Sequence, residues 1–582
     1  MMYDLIIKNG LLLDGSGTPG IMKDVAIKEG RVVKLGDLEG EIATKIIDAN
    51  RKLVVPGFID LHTHADYTFP LYPKAENYIM QGITTVVAGN CGYSPAPLHN
   101  YWLYLDFESD AIEKIKPYFY DVDIIHDPNK AKGIMKQEYG LDINWSSFAE
   151  FLNEIENLGL SVNYIPLVGH GQIRAQVMGL DFKRKSTVQE IERMKSLLLE
   201  AMEAGAYGMS TGLDYPPGAY ADTEEILELC AIMRPYDAIY ATHWRRTGLR
   251  FGTPKKQKII DGIVEALEIG KATGLRVQLS HLFPGFEVYP ADNDYMQKAA
   301  VEATFQIIDK YEKQGVRVAF DVIQEKMIYD GASQINKLAY YCFRPWIWQA
   351  GSLEQFIRNL QADDYSQELI GRISRGELYY FNPISNPQWD ETMHIIDSEN
   401  KHFIGKSISQ IAKEKGLSGV ETVIALLKED PYIKALNFNR NVEAINMLLC
   451  HPRAVPCTDS FAVDLISPWT ERSGRLPSTQ TYNMTAEYLN EKALGSLEHK
   501  IRKLTGLPAE ILGIADRGLI KEGYWADVLI VDINNLHSNK NYIDTRVYPS
   551  GIDYVVVNGE VVVMAGQHLG LRPGKIIRNK RT

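Results

Sequence analysis

Apolar and polar positions along the chain fall into two textures, one at both ends and another between them. Residues 1–55 read as short strands, with Tyr3 to Lys8, Leu11 to Leu13, Asp24 to Lys28 and Arg31 to Leu35 cut by Asn9-Gly10, Asp14-Gly15-Ser16-Gly17 and Glu29-Gly30. The same texture returns over Ala526 to Asp532 and Tyr554 to Val563. Neither end carries enough apolar surface to be stable alone, so the two are expected to share one sheet system. Between them, helix-spaced segments (Glu190 to Ala204, Ile259 to Thr273, Ala299 to Gln314) are each followed by a short apolar run (Ala206 to Ser210, Arg276 to Ser280, Val316 to Asp321). That alternation predicts an α/β fold with a parallel sheet, and its extent favours a closed (β/α)8 barrel over an open doubly wound sheet. Residues from about 325 to 445 break the rhythm with longer amphipathic segments and read as an inserted subdomain.

Candidate chemistry sits where these strands end. The apolar run Leu53 to Ile59 reads as one buried strand leading into His62 and His64, which project from the same side of an extended backbone. A second run, Ile83 to Val87, delivers Cys91 just past its end. His170 follows Ile165 to Val168, His243 follows Ala238 to Ala241, and His281 follows Val277 to Leu279. In a barrel all of these face one mouth, the C-terminal end of the strands where such enzymes build their sites. Thiolate and imidazole together favour zinc.

Composition narrows the partners. At 582 residues and 45% hydrophobic, the chain can bury a large core and exceeds one compact unit. A formal net charge of −12 argues against nucleic acid or an anionic membrane, since both reward a basic surface. Five scattered cysteines are unlike a secreted disulfide scaffold. The N-terminal MMYDLIIKNG shows no signal-like pattern, and no apolar run reaches the roughly 18 residues of a membrane span. The expectation is a soluble cytoplasmic protein acting on a small molecule, with its oligomeric state left open.

Longer words then invite comparison: PGFIDLHTH at 56–64, QGITTVVAGNCGYS at 81–94, GHGQIR at 169–174, GAYGMSTGLDYPPGAYA at 205–221, THWRRTG at 242–248, SHL at 280–282, GKSISQIA at 405–412 and LPAEILGIADRGLIKEGYWADVLIVD at 507–532. In these the chain resembles the N-acyl-D-amino-acid deacylases (D-aminoacylases) of the amidohydrolase superfamily. The resemblance implies a metal-dependent (β/α)8 barrel over 56–514, including the insertion, and a small β-sandwich made from 1–55 with 515–582. It implies one tightly bound zinc and leaves a second open. His243 and His281 match the ligands of the tight zinc, Cys91 the thiolate facing both positions, and His62 with His64 the other position. Asp459, in Cys457-Thr458-Asp459-Ser460, matches the acid that takes water's proton and returns it to the departing nitrogen, although Thr458 and Ser460 replace the family's serine and glycine. Zinc would bring water's pKa toward neutrality and polarise the carbonyl. His170 would bind the tetrahedral oxyanion, orient a ligand, or simply pack.

Two positions depart from the pattern. Where the family grips the substrate's carboxylate with a lysine and a tyrosine, this chain has Phe283 and Ile323, and neither can form a charge-assisted bond. Arg475 stands roughly where the family carries a carboxylate-binding arginine. The expected activity is therefore zinc-dependent hydrolysis of a linear amide by an altered pocket, suited to a neutral or aromatic amine side or to a carboxylate placed differently. A cyclic amide hydrolase or deaminase is one alternative, disfavoured because Cys91 stands in for the bridging carboxylated lysine. A non-catalytic metal-binding homologue is the other. The Tyr-rich segment Asn100 to Trp145 would cover the mouth or form a surface excursion.

Overall fold

The computed structural model describes residues 2–103, 125–246, 259–286, 288, 293–325, 333–334, 337–376, 384, 388–438, 440–466 and 476–579. Both chain ends enter one nine-stranded sheet. In spatial order it runs Gln567–His568, Glu560–Met564, Ile552–Val557, Val528–Val531, Leu53–Pro56, Tyr3–Leu12, Ile21–Lys28 and Arg31–Gly36, with Ala43–Asp48 also paired to Tyr3–Leu12. The seam between the ends is the antiparallel pairing of Leu53–Pro56 with Val528–Val531. Leu5, Ile7, Val25, Val54, Val528 and Ile530 meet there in one apolar cluster, so each end completes the other's core.

The run Leu53 to Ile59 is not one strand. Leu53–Pro56 belongs to the end sheet, while Phe58–Thr63 starts a parallel sheet. Pro56 has no N–H to continue a ladder. At Gly57 the backbone passes Thr84 so closely that a Cβ would lie 2.1 Å from its Oγ1, so only glycine fits the crossing.

From there the strands follow the chain: Phe58–Thr63, Ile83–Ala88, Asn163–Pro166 with Val168–Gly169, Gly208–Gly212, Ile239–His243, Arg276–Leu279, Arg317–Ile323 and Ala454–Cys457. Neighbours pair in parallel, with one interruption at Leu167. A parallel bridge from Thr63 to Ser460 links the last of these strands back toward the first. This sequential order fits a barrel, whereas a doubly wound sheet requires a reversal in strand order. The intervening helices are locally well specified. Val188–Glu203 opens with a Thr187/Glu190 capping box and buries Met194, Leu198, Ala201 and Met202 along one stripe.

The described residues between 338 and 437 form a separate cluster of helices, Leu338–Ala350, Leu353–Leu360, Asp363–Ser374, Ile408–Lys415 and Gly419–Glu429, with an antiparallel pair Met393–Asp397 and Lys434–Asn437. Phe343, Trp346, Phe356, Leu360, Ile411 and Leu427 pack in its own core. Among the described residues, no helix is long and apolar enough to cross a membrane.

Candidate metal centre

The parallel strands bring six of the sequence-predicted residues together. His62 lies near the end of Phe58–Thr63 and His64 just beyond it, His243 closes Ile239–His243, and His281 follows Arg276–Leu279 by two residues. Cys91 Sγ lies 3.2 Å from His62 Nε2, 3.3 Å from His281 Nε2 and 3.8 Å from His243 Nδ1. Asp459 Oδ1 lies 3.3 Å from His62 Nε2 and 3.2 Å from His64 Nε2. Three overlapping triads (His62, His64, Cys91; Cys91, His243, His281; His62, His281, Asp459) each have their donor atoms within 4.8 Å of one another. Buried thiolate and imidazole donors converging in this way are the set that takes zinc or a similar metal, so the residues present fit a resident cation.

The backbone is bent to achieve this. Cys91 (φ 57°), His281 (φ 35°) and Asp459 (φ 47°) all occupy the left-handed region, which costs a non-glycine residue energy. The Cys91 loop is tightly built. A Cβ on Gly89 would meet Leu167 O at 2.0 Å and one on Gly92 would meet Gly212 N at 2.6 Å, while the Tyr215 hydroxyl donates to Cys91 O at 2.7 Å.

Electrostatics follow from the packing. Burial would raise the Cys91 thiol, but the charge of His62 and hydrogen bonds from His243 and His281 outweigh it and hold it well below its ordinary value. Burial would likewise raise Asp459, yet the His62 charge and the bonds to His62 and His64 keep it far below the usual carboxylate range. His64 is pushed up to about 9 because Asp459 and Cys91 overcome its desolvation. His281 moves the other way, down to about 4, through burial and the neighbouring Arg246 guanidinium.

Sequence reasoning missed the groups behind the ligands. Fully buried Asp321 accepts from His281 N at 2.6 Å and lies 3.2 Å from His62 Nδ1, so it orients two candidate ligands at once. Asp214 stands 3.6 Å from His243 Nε2, and Arg246 meets Nδ1 of His281. An aspartate closing the apolar Val316 to Asp321 run was the available signal for the first of these.

The remaining predicted residues are placed differently. His170 starts the helix His170–Met178, and its Nε2 lies 2.7 Å from Glu225 Oε1 in a buried network with Arg174 and Ser186. Phe283 is half-buried against Trp244, with ring centroids 5.1 Å apart. Ile323 ends Arg317–Ile323 in register with Cys457. Arg475 lies outside the described residues, as do residues 104–124 of the Tyr-rich segment.

Comparison with known proteins shows the family. The family model described as "Amidohydrolase family" matches residues 45–236 and 396–563. The chain belongs to the amidohydrolase family. An N-acyl-D-aspartate deacylase of Alcaligenes xylosoxydans xylosoxydans is 29% identical over 99% of this chain and 95% of its own length. The N-acyl-D-glutamate deacylase of Bordetella bronchiseptica, solved with zinc and a phosphonate mimic of the tetrahedral intermediate, superposes with a TM-score of 0.67 at 24% identity, covering 99% of this chain and 100% of that one. A D-aminoacylase structure concerned with a binuclear centre, one-metal activation and second-metal attenuation gives 0.68 at 24% identity, covering 99% of both chains. As an amidohydrolase with deacylase relatives along its whole length, the chain is a metal-dependent hydrolase of carbon–nitrogen bonds other than peptide bonds.

Proposed function

We propose that the chain is a zinc-dependent hydrolase of a linear amide, an N-acyl amino acid whose carboxylate is held differently from the family pattern. One observation carries this: a buried cysteine, four histidines and Asp459 converge at the C-terminal ends of five of the parallel strands. Cys91, His243 and His281 would hold the tighter zinc, and His62 with His64 the second position, in line with the binuclear centre named for the D-aminoacylase relative. Bound there, zinc would polarise the scissile carbonyl and make water acidic enough to ionise near neutral pH. Asp459, held ionised by its imidazole neighbours, takes the proton from the attacking water and delivers it to the leaving nitrogen. Asp321 keeps the His62 ring in place while this happens. His170 bonds Glu225 through Nε2, and its buried Nδ1 makes no hydrogen bond among the described residues.

In this reading residues 56–514 are the (β/α)8 catalytic barrel with the insertion at about 325–445, and residues 1–55 with 515–582 form the β-sandwich beside it. The strand order and the Thr63 to Ser460 bridge support closure. Phe283 and Ile323 remove the family's lysine and tyrosine contacts, and Arg475 remains a candidate for part of the lost grip.

The test is amine release by zinc-loaded protein across N-acyl-D-amino acids, N-acyl-L-amino acids and neutral N-acyl amines. Asp459→Asn should lower turnover by about a hundredfold or more while metal stays bound. Silence across the whole panel, or full activity in the Asp459 variant, would sink the reading.

A further inference from the structure

Arg246 lies three residues beyond His243, the end of its strand. Its guanidinium carbon is 4.6 Å from the Phe283 ring centroid and 5.2 Å from that of Trp244. Its Nη2 meets Nδ1 of His281, whose Nε2 faces Cys91 Sγ at 3.3 Å. The guanidinium thus sits one imidazole's width from the candidate ligand atoms. It rests on the residue that stands where the family's lysine does.

The contact with His281 depends on which ring nitrogen carries the proton. A neutral imidazole that gives its Nε2 lone pair to a metal carries its proton on Nδ1, and a guanidinium has only donors. Two N–H groups cannot share a hydrogen bond, so a metal held at Nε2 would leave the Arg246 donors to seek an acceptor other than the ring. Stacking on Phe283 keeps the cation in place while they do so.

We propose that Arg246 binds the carboxylate on the amine side of the substrate, reaching it from the strand that carries His243 rather than the one that carries His281. This rests on the amide-hydrolase reading above. An N-acyl amino acid carries its carboxylate two bonds from the scissile nitrogen, so a donor one ring beyond a metal ligand reaches it when the acyl carbonyl lies over the centre. A guanidinium fork matches a carboxylate in bidentate fashion, which an ammonium cannot do. Phe283 is then the platform for the new grip as well as the loss of the old one, and the substrate class is an N-acyl amino acid rather than a neutral amide.

The experiment is calorimetric titration of zinc-loaded Asp459→Asn protein with N-acetyl-D-leucine and with N-acetyl-isoamylamine, its counterpart without the carboxylate. Adding Arg246→Met should weaken the acid by about 30-fold or more and leave the amine within about threefold, with Arg246→Lys intermediate. Zinc affinity, read by chelator competition, should be equal or tighter in Arg246→Met, because a cation beside His281 has been removed. Weaker zinc binding would make Arg246 a mere support for His281 and overturn the proposal, as would equal weakening of acid and amine. Tight binding of the amine with none of the acid would overturn it and leave the amide reading standing, whereas binding of neither ligand would count against that reading itself.

Discussion

Replacing Asp321 by Asn and by Ala separates the charge of this buried carboxylate from its hydrogen bonds. Oδ1 accepts from His281 N at 2.6 Å and lies 3.2 Å from both His62 Nδ1 and Cys457 Sγ, while Oδ2 accepts from Gln278 Nε2 at 2.8 Å. Burial disfavours the charge, but the His62 imidazole beside it outweighs this and holds the carboxyl below its ordinary value. Alanine strands the His281 N–H and the Gln278 amide in the interior at about 1–3 kcal/mol each, so about 2–6 kcal/mol is lost from these two alone. That is a large share of the roughly 5–15 kcal/mol that holds a domain folded. Asparagine should be far milder, because its oxygen can occupy the Oδ1 place. Its NH2 then faces Gln278, whose Oε1 makes no hydrogen bond and can turn to accept. What asparagine removes is the negative charge that makes His62 a better donor, and loss of such a partner lowers metal affinity by about 10–100-fold. Thermal melts of metal-free protein and zinc competition against a chromophoric chelator read the two effects separately. An alanine variant that melts with the wild type, or an asparagine variant with wild-type zinc affinity at the His62 position, would refute this account of Asp321.

Chelation should abolish amine release and lower the melting temperature, with zinc restoring both, since a cation that binds the folded site and not the unfolded chain stabilises the fold by mass action; an unchanged melt would argue against a resident metal. Glu225 supplies a pH test away from the centre. Burial opposes its charge, yet the hydrogen bond and charge of His170 with the charge of Arg174 lower its pKa from 4.5 to about 2. A depressed carboxyl contributes stability that is present above pH 4.5 and lost as pH falls toward 2, here up to about 3 kcal/mol. Glu225→Gln should therefore flatten the melting-temperature profile between pH 4.5 and 2, and a profile parallel to the wild type would contradict the assignment.

Local patterns carried much of the fold. Helix is observed throughout the expected Ile259 to Thr273, and strands occur at Gly208–Gly212, Arg276–Leu279 and Arg317–Ile323, within a few residues of the runs that predicted them. What a pattern cannot specify is the partner of a strand. Leu53 to Ile59 is uniformly apolar, and nothing in that run says that Leu53–Pro56 pairs with Val528–Val531 while Phe58–Thr63 pairs with Ile83–Ala88. Choosing between the two sheets depends on a proline that cannot donate and on the space beside Thr84, which is a tertiary fact.

The centre was legible where residue type announces a ligand, and hidden where backbone shape or charge does the work. His62, His64 and Cys91 stand out by chemistry, whereas Asp321 reads as the polar end of an apolar strand. The left-handed backbone at Cys91, His281 and Asp459 left no trace in the sequence either, because the usual sign of such a conformation is glycine. Glycine at these points would relieve strain of about 1–3 kcal/mol each. It would also delete the thiolate, the imidazole and the carboxylate from the tightest part of each loop. The surrounding structure must therefore hold a conformation that the residues themselves resist, through the close approach of Gly89 to Leu167, the Tyr215 hydroxyl on Cys91 O and the Asp321 carboxylate on His281 N. Departure from local preference at three separate strand ends, all within one donor cluster, ties the energetic cost of the fold to the place where the chemistry is done.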